Sequence, residues 1–335
     1  MNMTSIGDLA NSILLRQRSA QLTQEISTLT QELTSGQVSD VSGRLGSDYS
    51  YLTDIDRNLA RLDGYNVSAR EAAMFSGAAQ TSLERVHDLS ATLSDALITV
   101  DEISSTEQRT HMSEVAESSL ASAISALNAS VGGRSLFGGT ATDRPPLGSA
   151  DTLISELQAL VGGLTTSADI EAAVETWFSD PAGFDAIMYE GSQDVLAPIQ
   201  IGAGEEVSLT LTARDPAIRD TLRDMALTAL AADPTLGFDR EVQDDLFRAA
   251  GNGMLADQDA LTGIRADLGF AEGRIEEISA RNLAARTSLE FSRAALLEAD
   301  PFETATRLEE AQFQLESLYT VTVRSANLSL LNFLP

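Results

Sequence analysis

Apolar residues recur at alternating spacings of three and four along both ends of the chain. Such spacing keeps one apolar stripe on one side of a helix, so it predicts long helical arms that seek a helical partner. Asn282 and Ser292 are the only interruptions in the C-terminal arm, over about five heptads. The C-terminal stripe is Leu261, Ile264, Leu268, Ala271, Ile275, Ile278, Ala285, Leu289 and Leu296, and the N-terminal one is Leu15, Leu22, Ile26, Leu29 and Leu33.

Further helical tracts follow each arm towards the middle of the chain. The first arm is expected over residues 4–34, and the next tract ends near Ile103. Ser105 is placed to begin another helix with an N-terminal cap, and Asp300-Pro301 should end the long C-terminal helix and start the last one. These tracts predict a helical hairpin or bundle.

The pattern changes at Gly132-Gly133, after which glycine pairs, prolines and short apolar runs replace the long stripes. Residues 151–161 and 168–178 are expected as short helices. Strands are expected at 195–196, 199–201 and 207–211, the last because it alternates at period two. Asp215-Pro216 suits the start of a helix, where proline is tolerated in the first turn. The sequence therefore predicts a small α+β insertion between helical segments.

The predicted fold is mainly α, with long terminal helices forming a coiled-coil or helical rod around that insertion. The predicted segments are 1–47, an N-terminal arm forming an inner layer; 48–135, a helical rod; 136–214, an acidic outer insertion; 215–299, the C-terminal half of the rod; and 300–335, a C-terminal arm.

Charge narrows the choice of partners. The chain of 335 residues carries a formal charge of -28, and all 22 of its cations are arginine. Nucleic acid needs clustered positive charge and is not an expected partner, and an anionic membrane surface is disfavoured for the same reason. Residues 136–250 hold 6 arginines against 20 acidic residues, which makes the middle the most acidic part.

Neither terminus has the features of a membrane protein or of a cleaved leader. The first fifteen residues lack a basic region followed by a long apolar run, and no stretch reaches the ~20 apolar residues of a membrane span. After Arg324 the chain carries no charged side chain, and such an apolar tail is expected to be buried by something. The N-terminal arm and neighbouring copies are both open as its cover.

Candidate catalytic motifs are weak. Residues 133–140 have the spacing of a phosphate-binding loop, but Gly139 stands where the lysine is needed. His87 and His111 are isolated from metal-ligand spacings, and acidic pairs such as Glu205-Glu206 are adjacent and so diverge. Trp177 is expected to anchor the core of the insertion. We therefore expect no enzymatic activity, cofactor or metal.

Three stretches carry a resemblance to the flagellin family of bacterial flagellar proteins. Residues 33–36 resemble the end of the first terminal helix in that family, and residues 133–140 followed by Pro145 resemble the entry to the outer domain of its hook–filament junction members. Residues 329–334 resemble the family's C-terminus. In the first stretch Gln37, Val38 and Asp40 depart from the family's usual residues.

The resemblance implies an extracellular structural subunit of the flagellum that joins hook to filament by self-assembly. It also implies type III export without a cleaved signal peptide, and partners among a neighbouring hook-associated protein, flagellin, and the export machinery or a chaperone. A filament subunit, or a secreted coiled-coil binding module, is the alternative. The expected assembly residues are Leu15, Leu22, Ile26, Leu29, Leu33, Leu308, Leu315, Leu318, Leu328, Leu330, Leu331, Phe333 and Leu334.

Overall fold

The mainly α class with a small α+β insertion is confirmed by the computed structural model. It describes residues 3–46, 49–98 and 105–331, with side chains for 10–46, 49–98 and 105–324. The helices are α1 (Met3–Ser35), α2 (Val41–Leu45), α3 (Tyr49–Leu97), α4 (Thr106–Leu127), α5 (Ala150–Val161), α6 (Ser167–Ser179), α7 (Phe184–Ile187), α8 (Pro216–Ala231), α9 (Arg240–Leu297) and α10 (Pro301–Leu331). The strands are β1 (Ser130–Val131), β2 (Arg134–Ser135), β3 (Ile199–Gly202) and β4 (Glu205–Val207).

Local capping chemistry sets the helix starts that the sequence predicts. Ser105 Oγ accepts from the backbone N–H of Gln108 at 3.3 Å, and Gln108 Oε1 accepts from that of Ser105 at 2.7 Å, which forms a capping box. Asp215 caps α8, and Asp300 Oδ1 accepts from the N–H of Phe302 at 2.8 Å. Each side chain satisfies a donor that the first helical turn leaves free.

The insertion begins with a tight β-hairpin rather than a plain loop. β1 and β2 pair antiparallel, and Gly132 and Gly133 form the turn with φ of 59° and 77°. A left-handed conformation at both positions favours glycine. The predicted helices at 151–161 and 168–178 are confirmed as α5 and α6.

The strand expected at 207–211 is wrong beyond Val207, and the one expected at 195–196 is absent. Leu209 is buried while Ser208 and Thr210 are exposed, so the alternation reflects an extended segment packed on helices. Among the described residues, no backbone segment pairs with residues 208–211, and a strand requires such pairing. β3 and β4 do pair antiparallel.

Asn282, which interrupts the C-terminal stripe, holds the β3–β4 hairpin. Its Nδ2 donates to the backbone carbonyl of Ile201 at 2.8 Å, and the side chain is 7% exposed. The apolar residues around it are Ala69, Ala72, Ile201, Val207, Ile275 and Ile278. The polar interruption therefore gives the carbonyl of a buried residue a hydrogen-bond donor.

The chain divides into two compact units. One consists of residues 1–62 with 284–335, and the other of residues 63–283. We call them the terminal unit and the central unit. The division into five segments made from the sequence stays a prediction.

The core of the central unit is built around α8. This helix packs against α4, α5 and α6, and Ile218, Leu222 and Met225 are fully buried in it. The predicted stripes of α3 and α4 supply Leu83, Val86, Leu93, Leu120 and Leu127 to the same cluster. Apolar periodicity on these helices thus corresponds to burial within one unit.

A buried ionic cluster interrupts that core. Asp224 is 3% exposed; its Oδ1 accepts from Arg223 Nε at 2.8 Å, whereas its Oδ2 is buried without a hydrogen-bond partner. Burial raises the pKa of Asp224 to about 6, although Arg223 opposes this. Burial together with the charges of Asp224 and Asp220 raises the pKa of Asp257 to about 7. The carboxylates thus outnumber the single guanidinium that faces them.

Candidate assembly surface

The terminal unit is built on the pairing of α1 with α10. Leu22, Leu29 and Ala311 are buried between the two helices. Ile26, Leu308, Leu315 and Leu318 are partly buried against the same cluster. Arg18 donates to Gln314 Oε1 at 3.2 Å, which adds a polar contact beside this seam. The stripes at the two ends of the chain therefore complete each other within one chain.

A short stretch of strand-like pairing joins the end of α1 to the connection between α9 and α10. The N–H of Ala299 donates to the carbonyl of Gly36 at 2.9 Å, and that of Val38 donates to the carbonyl of Leu297 at 2.9 Å. Gly36 has φ of 68°, a conformation that favours glycine. The motif at residues 33–36 thus ends α1 and also ties it to the break before α10.

The residues that depart from the family pattern have local structural roles. The carboxylate of Glu32, which is nearly buried, accepts from the N–H of Ser39 at 2.7 Å. Asp40 caps α2 by accepting from the N–H of Gly43 at 2.9 Å. Gln37 forms an isolated bridge with Glu298. The connection therefore remains hydrogen-bonded despite the departures.

The predicted assembly residues fall into three groups. Leu22, Ile26, Leu29, Leu308, Leu315 and Leu318 line the seam inside the chain. Leu15 is partly buried and Leu33 is 42% exposed. For Leu328, Leu330 and Leu331 only the helical backbone is described, and Phe333 and Leu334 lie outside the described residues. A direct contribution of these residues to assembly stays a prediction.

The structure reveals a second set of apolar residues that the sequence reasoning missed. We call it the outer surface: Ile13, Leu14, Phe302, Phe313, Tyr319, Val321 and Val323, all more than half exposed. Phe302 and Phe313 are 85% and 70% exposed. They are three helical turns apart and share one face of α10, about 140° around the axis from Leu308. Phe302 and Phe313 thus face away from the seam.

The sequence does contain a signal for this surface, namely large apolar residues that lie off the main stripe. Phe302 and Phe313 fall outside the stripe with three-four spacing, so they read as incidental surface residues. Counting apolar residues off the stripe would have found them, because a helix with apolar residues on two faces has two neighbours to satisfy.

The glycine-rich stretch at residues 133–140 belongs to the packing of the insertion. The N–H of Thr140 donates to the carbonyl of Asp194 at 2.9 Å, and the carbonyl of Gly138 accepts from the N–H of Ser192 at 2.9 Å. A side chain at Gly139 would overlap the Asp194 carbonyl, so glycine allows the two segments to approach. The N–H of Thr140 and the carbonyl of Gly138 therefore form their hydrogen bonds within the protein itself.

The other candidate motifs stay apart. His111 lies on the exposed face of α4, 3.7 Å from Glu114, and His87 lies on α3. Among the described residues, no group of three or more acidic, histidine or cysteine side chains could hold a metal ion. No helix in that part of the chain is both long and apolar enough to cross a membrane.

Comparison with known proteins agrees with a mainly helical fold. Residues 256–334 match the family model of the bacterial flagellin C-terminal helical region. A solved structure of a putative flagellar hook-associated protein from Vibrio parahaemolyticus has a similar fold, with a TM-score of 0.50 and 14% identity. The match covers 73% of this chain and 95% of that chain. No curated protein matches the chain.

The fold and the paired terminal helices define a mainly helical protein whose two ends pair with each other. Residues 256–334 are similar to the C-terminal helical region of bacterial flagellin.

Proposed function

We propose that this chain is the subunit that joins the flagellar hook to the filament, similar to hook-associated protein 3. It is exported without a cleaved signal peptide and assembles beside another hook-associated protein and flagellin. The motifs at residues 33–36, 133–140 and 329–334 support this, as does the fold shared with the putative hook-associated protein.

The outer surface of the terminal unit is the observation that carries the proposal. Full burial of a phenylalanine side chain is worth about 1.5–3 kcal/mol relative to exposure. In the isolated chain, Phe302 and Phe313 are mostly exposed to water, at 85% and 70%. Neighbouring subunits packed against α1 and α10 would bury them, whereas the seam residues would act indirectly by holding the two helices together.

A paired substitution tests the surface. In a strain lacking the native gene, the Phe302→Ser/Phe313→Ser variant should be exported and helical but should incorporate at the hook tip at least about tenfold less. Phe270→Ser is the matched control, because Phe270 is 79% exposed in the central unit. Immunogold labelling of isolated hooks measures incorporation. Incorporation of the double variant at the level of the control would refute a role of the outer surface in assembly.

Flagellin itself is the second candidate, because residues 256–334 match the flagellin C-terminal region. The two differ in whether the chain polymerises by itself. A junction subunit should bind isolated hook ends and stop, and its loss should leave flagellin in the medium and hooks without filaments. Growth of the purified chain into long filaments on seeds would identify it as flagellin. A monomer that binds neither hook nor flagellin would favour a secreted binding module.

A further inference from the structure

An open cavity of about 440 Å³ lies beside α6 in the central unit. Its lining includes Leu160 of α5, Ala172, Ala173 and Trp177 of α6, and Asp180 and Gly183 of the turn that follows. The opposite side of α6 carries Ile170, Val174 and Phe178, which are buried in the core. The small side chains of Ala172 and Ala173 leave this space next to the chain's only tryptophan.

Trp177 and Asp180 are held in place by their surroundings. The indole makes edge-on contacts with Phe178 at 5.1 Å and Phe184 at 6.3 Å between ring centres. Asp180 Oδ1 accepts from the N–H of Ala182 at 2.8 Å. A side chain at Gly183 would overlap the carbonyl of Trp177, so the turn lies directly against the helix. An aromatic ring and a carboxylate thus line the same preorganised cavity.

The negative charge around the cavity favours a cationic ligand. Residues 145–213 contain 11 acidic residues and no arginine or lysine. Arg214, the next cation along the chain, is paired with Asp185. A cation in the cavity would therefore gain from the local negative potential, from the indole and from the Asp180 carboxylate.

We propose that this cavity receives an arginine side chain of a partner protein. A guanidinium is flat, stacks on aromatic rings and donates in a fork to a carboxylate, so it matches both lining groups better than an ammonium does. A cavity of about 440 Å³ has room for that side chain. This inference concerns the central unit and does not depend on the proposed junction role.

The fluorescence of the single tryptophan provides the assay. The full-length chain is titrated at constant ionic strength with Nα-acetyl-arginine amide, with its neutral isostere Nα-acetyl-citrulline amide, and with Nα-acetyl-lysine amide. We expect a saturable change with a dissociation constant in the millimolar range for arginine. Affinity for citrulline should be about tenfold weaker, and that for lysine should lie between the two.

Asp180→Asn should weaken arginine binding about five- to tenfold, because it removes the charged acceptor. Glu175→Gln is the matched control, since Glu175 is an exposed carboxylate on α6 that does not line the cavity. Circular dichroism verifies that both variants keep their helices. Equal affinity for arginine and citrulline, an unchanged affinity in Asp180→Asn, or no saturable change would overturn the proposal.

Discussion

Asp224 should make the stability of the central unit fall as pH rises from 5 to 8. Asp224 is 3% exposed, and its raised pKa means that the folded state holds the proton more tightly than the unfolded chain does. Asp220 and Arg223 on α8, Asp257 on α9 and Glu171 on α6 are the charged groups that act on it or its partners. The stabilising contribution of Asp224 is therefore complete below pH 3.8 and is lost as pH rises through about 6.

The size of the effect follows from the two pKa values. A shift from 3.8 to about 6 corresponds to about 3 kcal/mol over the full range, at about 1.4 kcal/mol per pKa unit. Between pH 5 and pH 8 the same values give a loss of about 1.4 kcal/mol. Asp257 contributes in the same direction, and because the two carboxylates are coupled, the observed transition belongs to the pair.

Urea unfolding followed by Trp177 fluorescence measures the free energy of unfolding, because this tryptophan lies in the central unit. We expect Asp224→Asn to reduce the decline between pH 5 and pH 8 by about 1.4 kcal/mol and to leave the part that Asp257 causes. Asp259→Asn, at an exposed site on α9, should retain the full decline. Comparing slopes cancels the titration of the many surface carboxylates. A constant difference between the wild type and Asp224→Asn across this range would refute the reasoning.

Two further substitutions test packing. Gly253→Ala should destabilise the central unit by about 1–3 kcal/mol, because the added carbon would overlap the Asp224 carboxylate. Gly263→Ala places its carbon in open space and should stabilise the unit by up to about 1 kcal/mol. Equal effects in urea unfolding would contradict this. Leu29→Ala should destabilise the terminal unit by about 2–5 kcal/mol and reduce the amide-exchange protection of α1 and α10. Leu14→Ala, at a 65% exposed site, should change the stability of that unit by less than about 0.5 kcal/mol. Unchanged protection in Leu29→Ala would show that the seam does not hold the pair.

Local signals in the sequence were sufficient to place three helix starts. Ser105, Asp215 and Asp300 each cap a helix at the predicted position, because capping involves only backbone donors within a few residues. The apolar stripes identified the buried faces for the same reason, since three-four spacing is a property of a single helix. The fold class could therefore be predicted before any tertiary contact was known.

The identity of each helix's partner depends on contacts between residues that are far apart in sequence. Leu29 could equally have faced another copy, yet it packs against α10 of its own chain. Leu209 alternates as a strand would, but no described backbone segment pairs with it. A stripe indicates only that one face of a helix is buried, and no local sequence pattern indicates that Asp224 is buried.

The sequence by itself determined the helices, their capped ends, the acidic character of the middle and the flagellin resemblance. Tertiary structure alone decided that the terminal stripes close on each other, that the outer surface remains apolar, and that a carboxylate lies in the core. The physical reason is that helix formation is set by neighbouring residues, whereas burial is set by whichever distant surface fills the space.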